Sequence, residues 1–77
     1  MKKYTVQALW DDDAKVFVAC SDDVPGLATE AKNLKALADK LQVMIPELLE
    51  ANGTSIYEEV PIELLSRQSF MAHGGAY

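Results

Sequence analysis

The segment at residues 20–29, CSDDVPGLAT, constrains the fold of this chain more than any other. A stretch of alternating apolar and polar residues leads into it, and an apolar stripe with helical spacing begins shortly after it. Pro25 sets φ for the first central position of a turn and Gly26 supplies the positive φ of the second, as a type II turn requires. The segment therefore predicts a sharp corner between a strand and the elements that follow.

Two strands are predicted before this corner. Residues 4–10 and residues 16–21 each alternate with period two and contain β-branched and aromatic side chains, as half-buried strands do. Residues 11–15 include three aspartates and have the composition of a turn, so the two strands form a hairpin. Residues 27–30 leave room only for a short third strand. These segments predict an antiparallel three-stranded meander.

One helix follows the meander. Asn33 is placed to cap it, because its side-chain oxygen can accept a hydrogen bond from the first turn. Pro46 removes a backbone donor, but the apolar stripe continues past it, so we predict one kinked helix that ends near Gly53. The stripe consists of Leu34, Leu37, Leu41, Met44 or Ile45, and Leu48.

A fourth strand returns after the helix. Residues 60–67 alternate again, and Pro61 cannot donate to a ladder, so this strand is an edge or begins at the proline. The predicted fold is α+β in the order β-β-β-α-β, a meander with one helix packed on one face and the returning strand beside it. Residues 1–70 are predicted to form a single domain and residues 71–77 a flexible tail.

Net charge limits the possible partners. The chain has 7 Lys and Arg residues against 12 Asp and Glu residues, a formal net charge of −5. Because nucleic-acid binding needs clustered cations, we expect no direct contact with DNA or RNA. An acidic surface favours a basic protein partner by steering their encounter, although the same charge also keeps a protein soluble. The small core favours self-association.

Cysteine content and hydropathy predict a cytoplasmic protein. Cys20 is the single cysteine, so no intramolecular disulfide can form, which fits a reducing compartment. The first residues, Met1-Lys2-Lys3, lead directly into alternating residues without the apolar segment of a signal peptide. No apolar run approaches the length of a membrane span, so we expect no membrane contact.

The residues able to carry chemistry do not predict an enzyme. The aspartates at residues 11–13 and 22–23 lie in predicted turns rather than on the rigid elements that catalytic sites need. His73 stands alone, without the further ligands of a zinc site. Cys20 falls on the inferred apolar side of its strand, which predicts a buried and unreactive thiol. We expect no catalytic residue, no metal and no cofactor.

Binding features are better represented. If the helix covers the face that carries Val6, Val16 and Cys20, then Leu9 and Phe17 lie on the opposite face as a contact patch. The alternatives are that these two residues are isolated surface side chains, or that the faces are inverted. The fourth strand, as an edge, offers a second interface by pairing with its copy in another subunit.

Several motifs follow one another in order: Tyr4-x-Val6, an acidic hairpin turn, Phe17-Val18-Ala19, Asp22-x-Val24-Pro25-Gly26-Leu27-x-Thr29, and a helix that opens at Asn33-Leu34. This order, over about residues 4–50, resembles the N-terminal domain of HicB-type antitoxins. The chain is also similar to a short, single-domain HicB-like branch. The residues that carry this second likeness are Pro46-Glu47-Leu48-Leu49 and Val60-Pro61-Ile62-Glu63.

The resemblance implies a partial RNase H-like fold without the catalytic carboxylates of that fold, in a protein that forms dimers or tetramers. It also implies that the chain binds and neutralises a HicA-type toxin, a small basic protein of double-stranded-RNA-binding type that cleaves mRNA. Neutralisation would occur by occlusion, with carboxylates competing for the surface that meets RNA phosphates. The expected partner-binding residues are Leu9, Phe17, Asp22, Asp23 and Glu30.

The chain departs from the HicB pattern in two places. Full-length HicB proteins usually add a C-terminal DNA-binding segment, which these 77 residues do not contain, so operator binding is not expected. Glu30-Ala31 stands where many HicB proteins have Gly-Asp. A stand-alone oligomeric interaction module with an unrelated partner, or with none, is therefore the alternative function. A degenerate metal nuclease is a third hypothesis.

Overall fold

The computed structural model describes residues 3–55, 59–68 and 70–75. Its elements confirm the predicted α+β class and the order β-β-β-α-β. Parts of the predicted domain and tail, namely residues 1, 2, 56–58, 69, 76 and 77, lie outside the described residues. The elements are β1 Tyr4–Asp11, β2 Val16–Cys20, β3 Thr29–Ala31, α1 Leu34–Ala51 and β4 Ile62–Arg67.

The four strands form one sheet in the order β3-β2-β1-β4. β2 pairs antiparallel with both β1 and β3, as the predicted meander requires. β4 returns parallel to β1, with Ile62 opposite Tyr4 and Arg67 opposite Leu9. The Pro61 carbonyl accepts a hydrogen bond from Tyr4 N at 2.9 Å, directly before the strand. Both expectations for the proline are confirmed, because β4 is an edge strand and starts beside it.

The third strand begins later than predicted. Leu27 N donates to the Val24 carbonyl at 3.2 Å, and Gly26 has a φ of 83°, in agreement with the predicted type II turn. The turn therefore extends through Leu27, and the ladder to β2 starts only at Thr29. The predicted start two residues earlier is wrong, because the Leu27 N–H closes the turn instead of donating to a neighbouring strand.

The single helix confirms both its predicted cap and its passage through the proline. Asn33 Oδ1 accepts a hydrogen bond from Ala36 N at 2.8 Å, which satisfies one donor of the first turn. Ile45 and Leu49 are buried on either side of Pro46, and the helix is continuous between them. The kink expected at Pro46 stays a prediction. No described helix is long and apolar enough to cross a membrane.

The helix ends in a Schellman motif. Gly53 has a φ of 88°, and its N–H donates to the Glu50 carbonyl at 3.0 Å. Thr54 N donates to the Leu49 carbonyl at 2.8 Å, so two carbonyls of the last turn gain partners beyond the helix. This confirms Gly53 as the predicted stop, because glycine adopts positive φ without steric cost.

The hydrophobic core lies between α1 and one face of the sheet. The sheet supplies Val6 and three small side chains, Ala8, Ala19 and Ala31, and the helix supplies large ones. Small residues facing large ones allow the helix to approach the sheet without leaving voids. Burial of one Leu or Ile side chain contributes on the order of 1.5–3 kcal/mol. The buried helix residues are Leu37, Leu41, Ile45 and Leu49.

The predicted face assignment of β2 is wrong. Ala8 lies opposite Ala19, and Trp10 lies opposite Phe17. Even-numbered residues of β1 therefore share the helix side of the sheet with odd-numbered residues of β2. Phe17 packs against the core, and its ring lies edge-on to that of Trp10 with centroids 4.9 Å apart. The residue is thus absent from the face on which it was predicted to bind a partner.

The hairpin turn decides this arrangement. The turn occupies residues 12–15, so Asp11 pairs with Val16 and every later pair joins an odd-numbered to an even-numbered residue. Because side chains alternate strictly along a strand, this register places Val16, Val18 and Cys20 on the same face as Leu9, opposite the helix. Cys20 is exposed there, and its predicted burial is wrong.

We expect Gly53→Ala to lower the free energy of unfolding by about 1 kcal/mol, because alanine at this positive φ is strained. A Cβ at Gly53 has no atom within 4 Å, so the loss would report conformation and not a clash. Gly74→Ala is the matched control, since its site is equally open and its φ is not positive. Urea denaturation of both variants measures the difference, and equal stability would contradict the assignment.

Candidate partner-binding surface

The sheet face opposite α1, which we call the open face, carries adjacent apolar side chains. Leu9 is 37% exposed and Leu65 is 47% exposed, while Val16 and Val18 are half-buried. We call these four residues the apolar patch. Apolar side chains grouped on an uncovered sheet face are typical of a surface that contacts another protein. Sequence reasoning found Leu9 but missed Leu65, which the alternation of residues 60–67 could have indicated.

The strand register places a carboxylate beside the apolar patch. Val18 lies opposite Leu9 on one side and opposite Glu30 on the other. Residues directly opposite each other in antiparallel strands have Cβ atoms about 4.5–5.5 Å apart, so the exposed Glu30 borders the patch. Arg67 lies opposite Leu9 on the far side. The fold thus brings Leu9 and Glu30, two predicted partner-binding residues, onto one face.

Side chains of the residues after β2 form hydrogen bonds to the β1 backbone where the strand itself has ended. β2 stops at Cys20, one residue earlier than predicted. Ser21 Oγ donates to the Thr5 carbonyl at 2.6 Å, and Asp23 Oδ2 accepts a hydrogen bond from Thr5 N at 2.8 Å. Asp23 N donates in turn to Ser21 Oγ at 3.1 Å. Both backbone groups of Thr5 are therefore satisfied on the side where β2 no longer pairs with β1.

The two adjacent aspartates of this corner differ in burial and in hydrogen bonding. Asp23 is half-buried and holds the backbone of Thr5, which makes it a structural residue. Asp22 is exposed and available for contact with a partner. Both contribute to a shallow hollow of about 210 Å³ at this end of the open face. Its lining residues are Thr5, Gln7, Cys20, Ser21, Asp22 and Asp23.

The acidic hairpin turn is held by its own side chains. Asp11 Oδ1 accepts a hydrogen bond from Asp13 N at 3.0 Å. Asp12 Oδ1 accepts one from Lys15 Nζ at 2.9 Å, and this bond, with a weaker one from Trp10 Nε1, lowers the pKa of Asp12 from its ordinary value. The aspartates here are turn residues, as predicted. Among the described residues, no cluster of His, Cys, Asp and Glu could hold a metal ion.

The corner at residues 24–26 packs against the C-terminal end of α1, a role that the sequence did not predict. Val24 is fully buried and belongs to the core. Asn52 Nδ2 donates to the Pro25 carbonyl at 3.1 Å, and a Cβ at Gly26 would lie 3.8 Å from Leu48 Cδ2. Periodicity gave no signal for Val24, because a turn has no regular period. The one indication in the sequence that Val24 is buried was the position of an apolar residue between an aspartate and a proline.

Replacing Asp23 should cost far more stability than replacing Asp22. Asp23→Ala leaves Thr5 N without its charged acceptor, so we expect the free energy of unfolding to fall by about 1.5–3 kcal/mol. Asp22→Ala, at the exposed neighbouring position, should change it by no more than about 0.5 kcal/mol. Denaturant midpoints of the two variants give the comparison, and similar losses would refute the division of roles.

Cys20 should react in the folded protein. Because its side chain is exposed on the open face, we expect complete labelling by a maleimide without denaturant, at nearly the rate found in urea. Mass spectrometry measures the labelling, and Cys20→Ser provides the unlabelled control. Labelling that requires denaturant would instead restore the buried position predicted from the sequence.

Comparison with known proteins agrees with this geometry over most of the chain. A crystal structure of the hypothetical protein TTHA1013, from the extremely thermophilic bacterium Thermus thermophilus, is 51% identical and has a TM-score of 0.80. The match covers 92% of this chain and 100% of that one. No curated protein matches the chain. The family described as a domain of unknown function, DUF1902, matches residues 3–72, and the chain belongs to this family.

Proposed function

We propose that this chain is a HicB-like antitoxin-type protein of the cytoplasm. It binds a small, basic, RNA-cleaving partner of HicA type and blocks the partner's RNA-binding surface. The chain itself catalyses no reaction, and it self-associates as a dimer or tetramer. The observation that carries the proposal is the open face, where an apolar patch lies beside the exposed carboxylate of Glu30.

The composition of the open face suits a basic protein better than RNA. Leu9, Val18 and Leu65 provide apolar area that can be buried against a protein, while Glu30 and Asp22 lie on the flanks. Phosphate groups would be repelled by these carboxylates, whereas lysines and arginines would be attracted. The apolar patch then supplies affinity, and the carboxylates supply orientation and a fast encounter.

The mechanism is occlusion. A protein that binds RNA presents cations to the phosphate backbone. The carboxylates of Asp22 and Glu30 are exposed and can pair with such cations, which then no longer contact RNA. Asp23 has no direct part in this mechanism, because one of its oxygens holds the backbone of Thr5. Phe17 has none either, because it packs on the helix side of the sheet.

The sequence motifs support the choice of partner. Residues 4–50 resemble the N-terminal domain of HicB-type antitoxins, a domain that serves to bind a toxin in those proteins. Three of the five aspartates in the acidic turns, Asp11, Asp12 and Asp23, accept turn or ladder hydrogen bonds, which weakens the case for a degenerate metal nuclease. The excess of 12 acidic over 7 basic residues is consistent with a basic partner.

The test is capture of a partner by the tagged chain from its native lysate, followed by an RNA-cleavage assay. We expect a small basic protein in near-equal amount, which cleaves RNA after separation and is inhibited when the chain is added back. The double variant Asp22→Lys/Glu30→Lys should weaken binding by about tenfold or more, since it reverses two charges at the interface. Raising the salt concentration should also weaken wild-type binding.

The matched control reverses two charges elsewhere. Glu47 and Glu50 are exposed on α1, away from the open face, so Glu47→Lys/Glu50→Lys should bind the partner as the wild type does. Equal losses in both double variants would show a nonspecific effect of net charge and would contradict the proposed surface. Recovery of the chain's own copies alone, or of a partner that does not cleave RNA, would favour the stand-alone interaction module.

A further inference from the structure

β4 is the terminal strand on its side of the sheet, and no strand among the described residues pairs with its outer edge. The Pro61 carbonyl faces β1, since it accepts the hydrogen bond from Tyr4 N. Backbone groups alternate in direction along a strand, so the N–H and C=O groups of Ile62, Leu64 and Ser66 face away from the sheet. An edge of this kind is a template for another strand unless something covers it.

Exposed apolar side chains concentrate at this edge and just after it. Leu65 is 47% exposed on the open face, Phe70 is 81% exposed and Met71 is 83% exposed. Such side chains are costly to leave in water and are typical of a surface that becomes buried in an assembly. The open edge and the apolar residues therefore lie on the same part of the described chain.

The side chains of β4 are complementary to a second copy of the same strand. An antiparallel pair with its twofold axis at Leu65 places Glu63 opposite Arg67 of the partner subunit, and the reverse. All three residues project from the open face, because they lie opposite outward residues of β1. Glu63 already accepts a hydrogen bond from Lys3 Nζ at 2.9 Å but stays 40% exposed, so a second cation can reach it.

The backbone directions agree with this register. It pairs Leu64 with Ser66 of the partner subunit, and both residues have outward-facing backbone groups that can exchange hydrogen bonds. Leu65 then occupies a non-hydrogen-bonded pair, in which side chains approach most closely. Shifting the register by two residues would pair Leu65 with Glu63 or with Arg67, and would lose both ion pairs.

We propose that two copies of this chain pair through β4 in this register, which joins their sheets into one eight-stranded sheet with both open faces on the same side. A six-residue strand pair alone is small beside the roughly 1,200–2,000 Å² that stable interfaces bury, and Phe70 and Met71, exposed just after β4, are the apolar side chains available to enlarge it. This inference rests on the self-association included in the proposed function and is independent of the RNA-cleaving partner.

Sedimentation equilibrium of the full chain and of three charge variants tests the interface. The wild type should be a dimer. Glu63→Arg places an arginine opposite Arg67 of the partner subunit in both symmetry-related pairs and should raise the dimer dissociation constant about tenfold, and Arg67→Glu should do the same. The double variant Glu63→Arg/Arg67→Glu restores opposite charges and should return the constant to within about threefold of the wild type. Asp39→Arg, on the exposed surface of α1, is the matched control.

Each outcome decides a separate point. A monomeric wild type would overturn both this interface and the proposed self-association. A dimer that tolerates Glu63→Arg, or one that the double variant does not restore, would overturn the interface alone and leave self-association intact. Far-UV circular dichroism of each variant confirms that it is folded. The toxin-capture experiment is unaffected by any of these results, so failure of the two proposals can be distinguished.

Discussion

The fit of large helical side chains onto a sheet of alanines is the interaction on which the rest of this structure depends. The small side chains of this surface belong to Ala8, Ala19 and Ala31, and the buried side chains of α1 pack against them. The helix supplies four of the nine buried hydrophobic residues of the described chain, so its close approach to the sheet is essential in a domain of this size. Because the one helix of the described chain covers one face of the sheet, the other face is left to solvent or to a partner.

The corner after β2 completes this core and shapes the free surface at the same time. Val24 enters the core beneath the end of the helix, and Asn52 fixes the turn through the Pro25 carbonyl. Asp23 accepts the hydrogen bond from Thr5 N that a longer β2 would otherwise accept. A motif that looks from its sequence like a binding loop is therefore largely structural. Asp22 is left as the carboxylate that can serve a partner.

Two surfaces remain for interaction, and they meet at Leu65, which belongs to the apolar patch and lies at the axis of the proposed strand pair. The apolar patch and Glu30 lie on the plane of the open face, while the outward backbone groups of β4 lie along the sheet's edge. A dimer formed through the edge would leave the open faces uncovered, on the same side of a longer sheet. Self-association and binding of a basic partner are thus compatible, and a dimer would present two equivalent binding faces.

The sequence by itself determined the caps, stops and turns that depend on neighbouring residues. The cap at Asn33, the stop at Gly53, the turn at Gly26 and the edge position of β4 all follow from local backbone geometry. The tertiary structure decided which side of the sheet Phe17 occupies, because the register of the hairpin depends on a difference of one residue in the turn.

The tertiary structure likewise decided the roles of the two adjacent aspartates. Asp22 and Asp23 are chemically identical, and the sequence predicted the same function for both. Of the two, only Asp23 accepts a hydrogen bond from Thr5, a residue 18 positions away, and this bond depends on where β2 ends. Contacts between residues distant in the chain arise from packing and pairing of whole elements, so local sequence signals cannot assign them.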